Sequence, residues 1–337
     1  MNTFFADMEL RLLLLREEFR SRILRIKRGK REGSVYKLPH SIGSRKAEGI
    51  AIAAIVKNEA HNLPEWIEFH LMVGVSHIIL YDNGSTDNTV EVLAPYLRDQ
   101  LVTIVPWANF SANLNPQSVA YNHALANFGP DFAWMAFIDL DEFLFPTKAA
   151  SLGEAMKAIS HLPGVSLPWI CFGPSGHEAK PQGLTIKNFV ERVAFPPRSD
   201  QYTLIKHKAI VNPREIVGAN WPHLFHTRED GPILINDRGQ KFHPRRAKDL
   251  RYVTADHLRL HHYFTRSIED MRRKLNKGRV DRRGEVQLNL LDRRFKQYLR
   301  HTEKDDIMQR FIPELERRLA QRYGRKMELV EATQAQA

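Results

Sequence analysis

Apolar and polar positions change rhythm along this chain. Phe5, Met8, Leu12, Leu15, Phe19, Ile23 and Ile26 recur every three or four residues, which predicts one amphipathic helix. Residues 32–47 carry no such period and read as a linker. From Gly49 onward the pattern becomes short, unbroken apolar runs: "IAIAAIV", "HIILY", "LVTIV" and "AWMAFI". Runs of this kind mark strands buried on both faces. The stretches between them have helical spacing, as in "PEWIEFHLM", "VEVLAPYL" and "NPQSVAYNHALANFG". Strands alternating with helices predict βαβ units and a parallel sheet.

Local signals place the boundaries. Asn62 with Glu65 reads as a capping box, Pro64 fits a first helical turn, and Gly74 is a stop signal. Asn115 and Pro116 form a second start signal. Beyond Pro146 the order loosens into short helices, Gly- and Pro-rich loops and mixed strands as far as about residue 262. "TRSIEDMRRKLNKGR" and "DDIMQRFIPELERRLAQRYG" then predict basic helices, and "EATQAQA" reads as a disordered tail. The expectation is an α/β fold: a mostly parallel sheet flanked by helices, with helical extensions at both ends. It divides into residues 1–47 (basic helix and linker), 48–146 (first βα half), 147–265 (second half) and 266–337 (terminal helices and tail).

Composition narrows the class. The chain has 337 residues, 43% of them hydrophobic and 26% charged, which suits a globular core rather than wholesale disorder. Its formal net charge of +11 suits an anionic partner: nucleic acid, a membrane surface or a phosphorylated small molecule. Cys171 is the only cysteine, so no intramolecular disulfide and no cysteine-based zinc site is possible. No apolar run has the roughly 18 residues a membrane span needs. The opening "MNTFFADMELRLLLLREEF" has charges inside its apolar stretch and no small-residue cleavage site. The expected compartment is therefore the cytoplasm. Arg20, Arg22, Arg25, Lys27, Arg28, Lys30 and Arg31 make the first helix basic, leaving three roles for residues 1–31. They are a solvated face, a partner helix, or peripheral contact with the inner face of a membrane.

In an open α/β sheet, ligands bind outside the carboxyl ends of the strands. The informative residues are thus Lys57, Asn58 and Glu59 after the first strand, Asp82, Asn83 and Gly84 after the second, and Asp139, Asp141 and Glu142 after the fourth. In extended geometry Asp139 and Asp141 point the same way, and two carboxylates so placed repel unless a cation sits between them. A hard divalent ion, Mn²⁺ or Mg²⁺, with a diphosphate completing its shell answers that need. Taken singly, Asp-x-Asp is a common loop pattern and "DNGSTD" is ordinary turn chemistry. The succession of strand–KNE, strand–DNGSTD and strand–DLDE is what points to a site.

"IVKNEAHNLPEWIEFHLMVGVSHIILYDNGSTDNTVEVL", followed by "FIDLDEFLF", resembles glycosyltransferases of the GT-A fold, nearest to family 92 and the related family 2. "CFGPSGHE", "KHKAIVNP" and "LHHYFTRSIEDMRRKLNKGR" are similar to further family 92 segments, so the likeness covers roughly residues 50–280. The resemblance implies a nucleotide-sugar donor, UDP-linked, and a glycan acceptor; the basic amphipathic N-terminus adds a lipid-linked or cell-envelope acceptor as a further expectation. It implies Asn58 and Glu59 at the nucleotide pocket and Asp82 on the uridine-like moiety. Asp139 would hold ribose or metal, Asp141 would be the main metal ligand, and His262 would complete the metal or diphosphate site. His261 is adjacent, and the sequence leaves open which of the two points inward.

An inverting transfer also needs a base near the acceptor hydroxyl. His177 and Glu178 fit in position and type, against the plainer reading that His177 satisfies its loop's backbone. Lys206, Lys208 and Arg266 are candidates to counter the diphosphate charge. His223 and His226, three apart in "WPHLFH", would bind a metal only on a helix, and Pro222 argues for a loop.

Two other functions compete. A nucleotidyltransferase on a similar sheet needs a Gly-rich basic loop after the first strand, where "KNEAHN" has no glycine. A basic nucleic-acid-binding protein needs basic residues interleaved with exposed aromatics, whereas here they gather at the two ends and the strand-end loops are acidic.

Overall fold

The computed structural model describes residues 47–107, 115–198, 201, 204–229, 231–232, 234–276, 298 and 302–324. The predicted amphipathic helix of residues 1–31, nearly all of the linker and the tail lie outside the described residues.

Eight strands form the main sheet: β1 (Ile50–Val56), β2 (His77–Asp82), β3 (Val102–Pro106), β4 (Trp134–Phe137), β5 (Glu142–Pro146), β6 (Gly164–Cys171), β7 (His207–Val211) and β8 (Leu258–His262). Their order is β3-β2-β1-β4-β7-β6-β8-β5. β7 runs antiparallel to β4 and β6, and β5 antiparallel to β8; the other pairs are parallel. All strands but β5 and β7 therefore share one direction, and the α/β expectation of a mostly parallel sheet holds. One sheet draws strands from both sides of the division at residue 146.

The helices are α1 (Leu63–Met72), α2 (Thr89–Arg98), α3 (Pro116–Asn127), α4 (Leu152–Ala158), the single turn α5 (Thr185–Asn188), α6 (Ile268–Asn276) and α7 (Ile312–Tyr323). Alternate residues of the central strands explain the layering. Ile52, Ala54, Ile78 and Leu80 belong to the cluster that holds Trp66 and Phe69 of α1, Leu93 of α2 and Leu315 of α7. Ala51, Ala53, Ile79 and Tyr81 belong to the one that holds Ala120 and Tyr121 of α3. Among the described residues no helix is long and apolar enough to cross a membrane.

Helix starts follow their sequence signals unevenly. At α3, Asn115 is extended (φ −81°, ψ 112°), and its side chain accepts the Gln117 and Ser118 amides at 3.0 and 3.1 Å. At α1 the expected capping box does not form. Asn62 has φ −96° and ψ −23°, a helical conformation from which its side chain makes no cap bond. Glu65 instead reaches across the chain and accepts the amides of Thr185 (2.8 Å) and Ile186 (3.0 Å), capping α5. The unsatisfied first-turn amides of a distant helix have taken the carboxylate.

Candidate active site

The sequence reading puts Asp139 and Asp141 on one side of an extended segment. The structure shows a tight turn. The Glu142 amide donates to the Asp139 carbonyl (3.0 Å), and the chain re-enters the sheet at once as β5, all five residues of which are buried. Because β5 pairs with β8, Glu142 lies directly opposite His262. A contact between residues 120 apart in sequence is thus set by strand register.

The turn sends its carboxylates to different partners. Asp139 is held by Lys208 of β7, with Nζ 2.8 Å from Oδ2, and by Gln117, whose Nε2 donates to Oδ1 at 2.7 Å. Asp141 faces His262, its Oδ1 3.5 Å from Nε2. Glu142 has no exposed surface; its Oε2 accepts the Asp139 amide at 2.9 Å, and its Oε1 has no hydrogen-bond partner among the described residues. Burial pushes the Glu142 carboxyl well above its ordinary range, with Lys208 opposing and Asp139 and Asp141 adding to the rise. Burial works to lower the Lys208 ammonium, but Asp139 and Glu142 outweigh it and hold it above the usual lysine value. Asp141, Glu142 and His262 each offer one ligand atom, all within 4.8 Å of one another. Two carboxylates and an imidazole so grouped, one carboxylate with an orphaned buried oxygen, fit a divalent cation. A site without one would leave that oxygen desolvated and unpaired, at a cost of about 1–3 kcal/mol or more.

His261 points elsewhere. Its ring packs 4.7 Å from Phe145 and 4.5 Å from Phe172, and burial lowers its pKa to about 3. His262 is therefore the histidine at the site.

A cavity of about 340 Å³ opens over this turn, a size that suits a small-molecule ligand. The β1 end contributes Lys57 and Glu59, the start of α3 contributes Gln117, and Asp139 and Asp141 come from the turn. The segment after β8 and the helix α6 contribute Arg266, Asp270 and Arg273. Asn58 and Asp82 stand beside the cavity. Asp82 is the register partner of Val56, which lines it. The two loops are laced together: Ser85 donates its amide (3.0 Å) and hydroxyl (2.6 Å) to Asp82 Oδ1, and its hydroxyl oxygen accepts the Asn58 amide at 3.0 Å. Asn58, at φ 54°, accepts the Thr86 amide at 2.7 Å. The polar clusters at the ends of β1, β2 and β4 converge on one rim.

Other predicted positions lie apart. Neither His177 nor Glu178 lines the cavity. His177 Nε2 sits 3.2 Å from the Asn188 carbonyl, and the His177 and Glu178 carbonyls accept the amides of Ile268 and Glu269. The Gly-rich loop thus caps α6, the helix that carries Asp270 and Arg273. Lys206 does not line the cavity, and Lys208 is bound to Asp139. His223 lies in the turn of a β-hairpin, Ile216–Trp221 with Leu224–Thr227, so the helical spacing that would join it to His226 on a metal is absent. Sequence reasoning missed the depth of Glu142 and the partnership of Lys208. A lysine inside the apolar strand "HKAIV" is the signal that was there to read.

Comparison with known proteins places the chain. The model of glycosyltransferase family 92 matches residues 50–299. The chain belongs to glycosyltransferase family 92. A family 92 protein of Oryza sativa subsp. japonica is 31% identical over 208 residues, 57% of this chain and 33% of the relative. One from Ricinus communis is 26% identical over 204 residues, 58% of this chain and 34% of the relative. A galactan beta-1,4-galactosyltransferase of Arabidopsis thaliana is 30% identical over 101 residues, 28% of this chain and 20% of that protein. This family 92 chain spans about a third of the length of the first two. Among solved structures, S. aureus TarS 1-349 aligns at a TM-score of 0.34 and 12% identity, over 75% of this chain and 71% of that one. Glucosyl-3-phosphoglycerate synthase of Mycobacterium tuberculosis, in complex with Mn²⁺, UDP and glucosyl-3-phosphoglycerate, aligns at a TM-score of 0.28 and 16% identity, over 50% and 58%.

Proposed function

We propose that this chain is a divalent-cation-dependent glycosyltransferase of the GT-A kind that takes its sugar from a UDP-linked donor. One observation carries the reading: Asp141, which lines the cavity at the strand ends, is grouped with His262 and with the buried Glu142, whose Oε1 has no partner among the described residues, in a chain of family 92.

Asp141, Glu142 and His262 are the residues that would hold the cation, and the mixed carboxylate and imidazole set favours Mn²⁺, with Mg²⁺ second. The bound ion would neutralise charge on the departing diphosphate. The chain's own residues do the rest. Lys208 holds Asp139 at the rim, where its partly exposed carboxylate is placed to receive the ribose hydroxyls. Asn58 and Asp82 carry the base-side loop, and Glu59 borders it. Arg266 and Arg273 line the cavity and offset diphosphate charge, a role the sequence reading gave to Lys206, Lys208 and Arg266. Arg266 is held there by its own backbone (φ 47°) and a 3.4 Å bond from Nη2 to the Leu140 carbonyl.

Release of nucleoside diphosphate from a panel of nucleotide sugars, with and without Mn²⁺, tests the reading. Asp141→Ala should abolish both turnover and cation dependence; UDP-sugar binding that keeps its cation requirement in this variant would refute it. His177→Ala and Glu178→Ala, assayed for turnover with donor binding measured separately, decide whether that loop acts as base or only supports α6. Liposome flotation with and without residues 1–31 tests peripheral membrane contact; equal failure to float would sink that proposal.

A further inference from the structure

On the far side of His262 the structure builds a second feature. The hairpin turns at Pro222–His223, and Trp221 before the turn is 50% exposed. His223 Nδ1 is 2.8 Å from the His207 carbonyl. A carbonyl only accepts, so Nδ1 carries the hydrogen and Nε2 presents a lone pair. No described residue bonds to that Nε2. Burial and the nearby Lys208 lower the His223 pKa to about 4, which keeps the ring neutral at ordinary pH. The His223 ring meets Trp169 edge-on at 5.8 Å, and Trp169 packs on His262 at 4.0 Å. Aromatic contacts therefore run from His262 through Trp169 to His223, two residues along the chain from the exposed Trp221.

We propose that Trp221 and His223 form the acceptor subsite, and that the acceptor enters it as a pyranose ring with a free hydroxyl. The C–H face of a sugar ring is weakly positive and fits the electron-rich face of an indole. A sugar hydroxyl is the donor that an imidazole Nε2 requires. A lipid chain would need a continuous apolar track. Instead, the exposed large apolar residues among those described, Val90, Trp221 and Leu250, sit on separate elements. The assignment rests on the glycosyltransferase reading and names its acceptor class.

The test titrates soluble oligosaccharides (β-galactan, β-glucan, chitin and α-mannan fragments) into the full chain by saturation-transfer NMR, with UDP and Mn²⁺ titrated in parallel. At least one oligosaccharide should bind. Trp221→Ala should weaken it about tenfold, and Trp221→Phe should restore most of the loss. His223→Ala should weaken it too, Leu250→Ala should not, and UDP affinity should stay constant across the series as the control for folding. Binding that survives both Trp221→Ala and His223→Ala overturns the subsite, as does failure of every oligosaccharide to bind. Oligosaccharide binding without UDP binding would instead overturn the donor reading and leave the subsite standing.

Discussion

Glu68 and Glu142 are both carboxylates buried against the same core, and the molecule completes only one of them. Glu68, in α1, is 1% exposed; its Oε2 accepts Arg318 Nε at 2.9 Å and its Oε1 accepts Arg322 Nε at 2.8 Å. Glu142 is buried as deeply, yet the nearest cation, Lys208, pairs with Asp139 and leaves Oε1 bare. A buried carboxylate that only braces the fold has both oxygens filled by the protein. One left half-filled beside another carboxylate and a histidine is where, on the proposed function, a bound cation would supply the missing charge.

Lys208→Met strains this comparison most. It leaves Asp139 and Glu142 in a poorly solvated site with no cation and should cost about 3–5 kcal/mol in urea unfolding, part of it recovered by Mn²⁺. A loss below about 1 kcal/mol would mean the charges are not coupled as described. Glu68→Gln should cost about 2 kcal/mol, because it weakens two arginine bonds at once, and Mn²⁺ should not rescue it. Glu142→Gln keeps the shape and removes the unmatched charge. Metal-free stability should hold within about 1 kcal/mol, while Mn²⁺ affinity read by electron paramagnetic resonance falls roughly ten- to a hundredfold. Unchanged affinity would take Glu142 out of the cation shell.

Acid sharpens the contrast. Burial lowers the pKa of His70 and His261 to about 3 and of His207 to about 4. His70 shows why protonation is excluded: Nδ1 lies 2.8 Å from the Trp66 carbonyl, so Nε2 must accept the Leu144 amide. With folded values below the unfolded value of 6.5, these groups contribute stability that is full above pH 6.5. It is lost as pH falls towards 3–4, at up to about 1.4 kcal/mol per pH unit for each. Tm should fall across that window. Glu142 works in the opposite sense: with its folded pKa raised, its contribution is full below 4.5 and is lost as pH rises through the folded value. Saturating Mn²⁺ should remove that component; a pH profile unchanged by Mn²⁺ would refute it.

The first half of the fold was legible because its signals are local. Buried strands, the Asn115 cap and the strand-end clusters all lie within a few residues of what they control. What stayed hidden depends on partners far along the chain. "EFLF" becomes a strand only because "LRLHH" pairs with it, and Glu65 leaves its own helix for amides at Thr185 and Ile186. Asp139 and Asp141 share a motif but part company because a turn, not a strand, separates them. The choice between His261 and His262 followed from register alone. Nor could the sequence tell that the backbone carbonyls of His177 and Glu178 accept the first amides of α6, far along the chain.

The clamp on Glu68 also has a consequence in time. Its two arginines follow it by 250 and 254 residues, so a growing polypeptide carries that carboxylate without these partners until α7 is made. At ordinary translation speeds the wait is roughly ten to fifty seconds. During it, the docking face of α1 is open to chaperones, and a chain cut short before residue 318 never closes it.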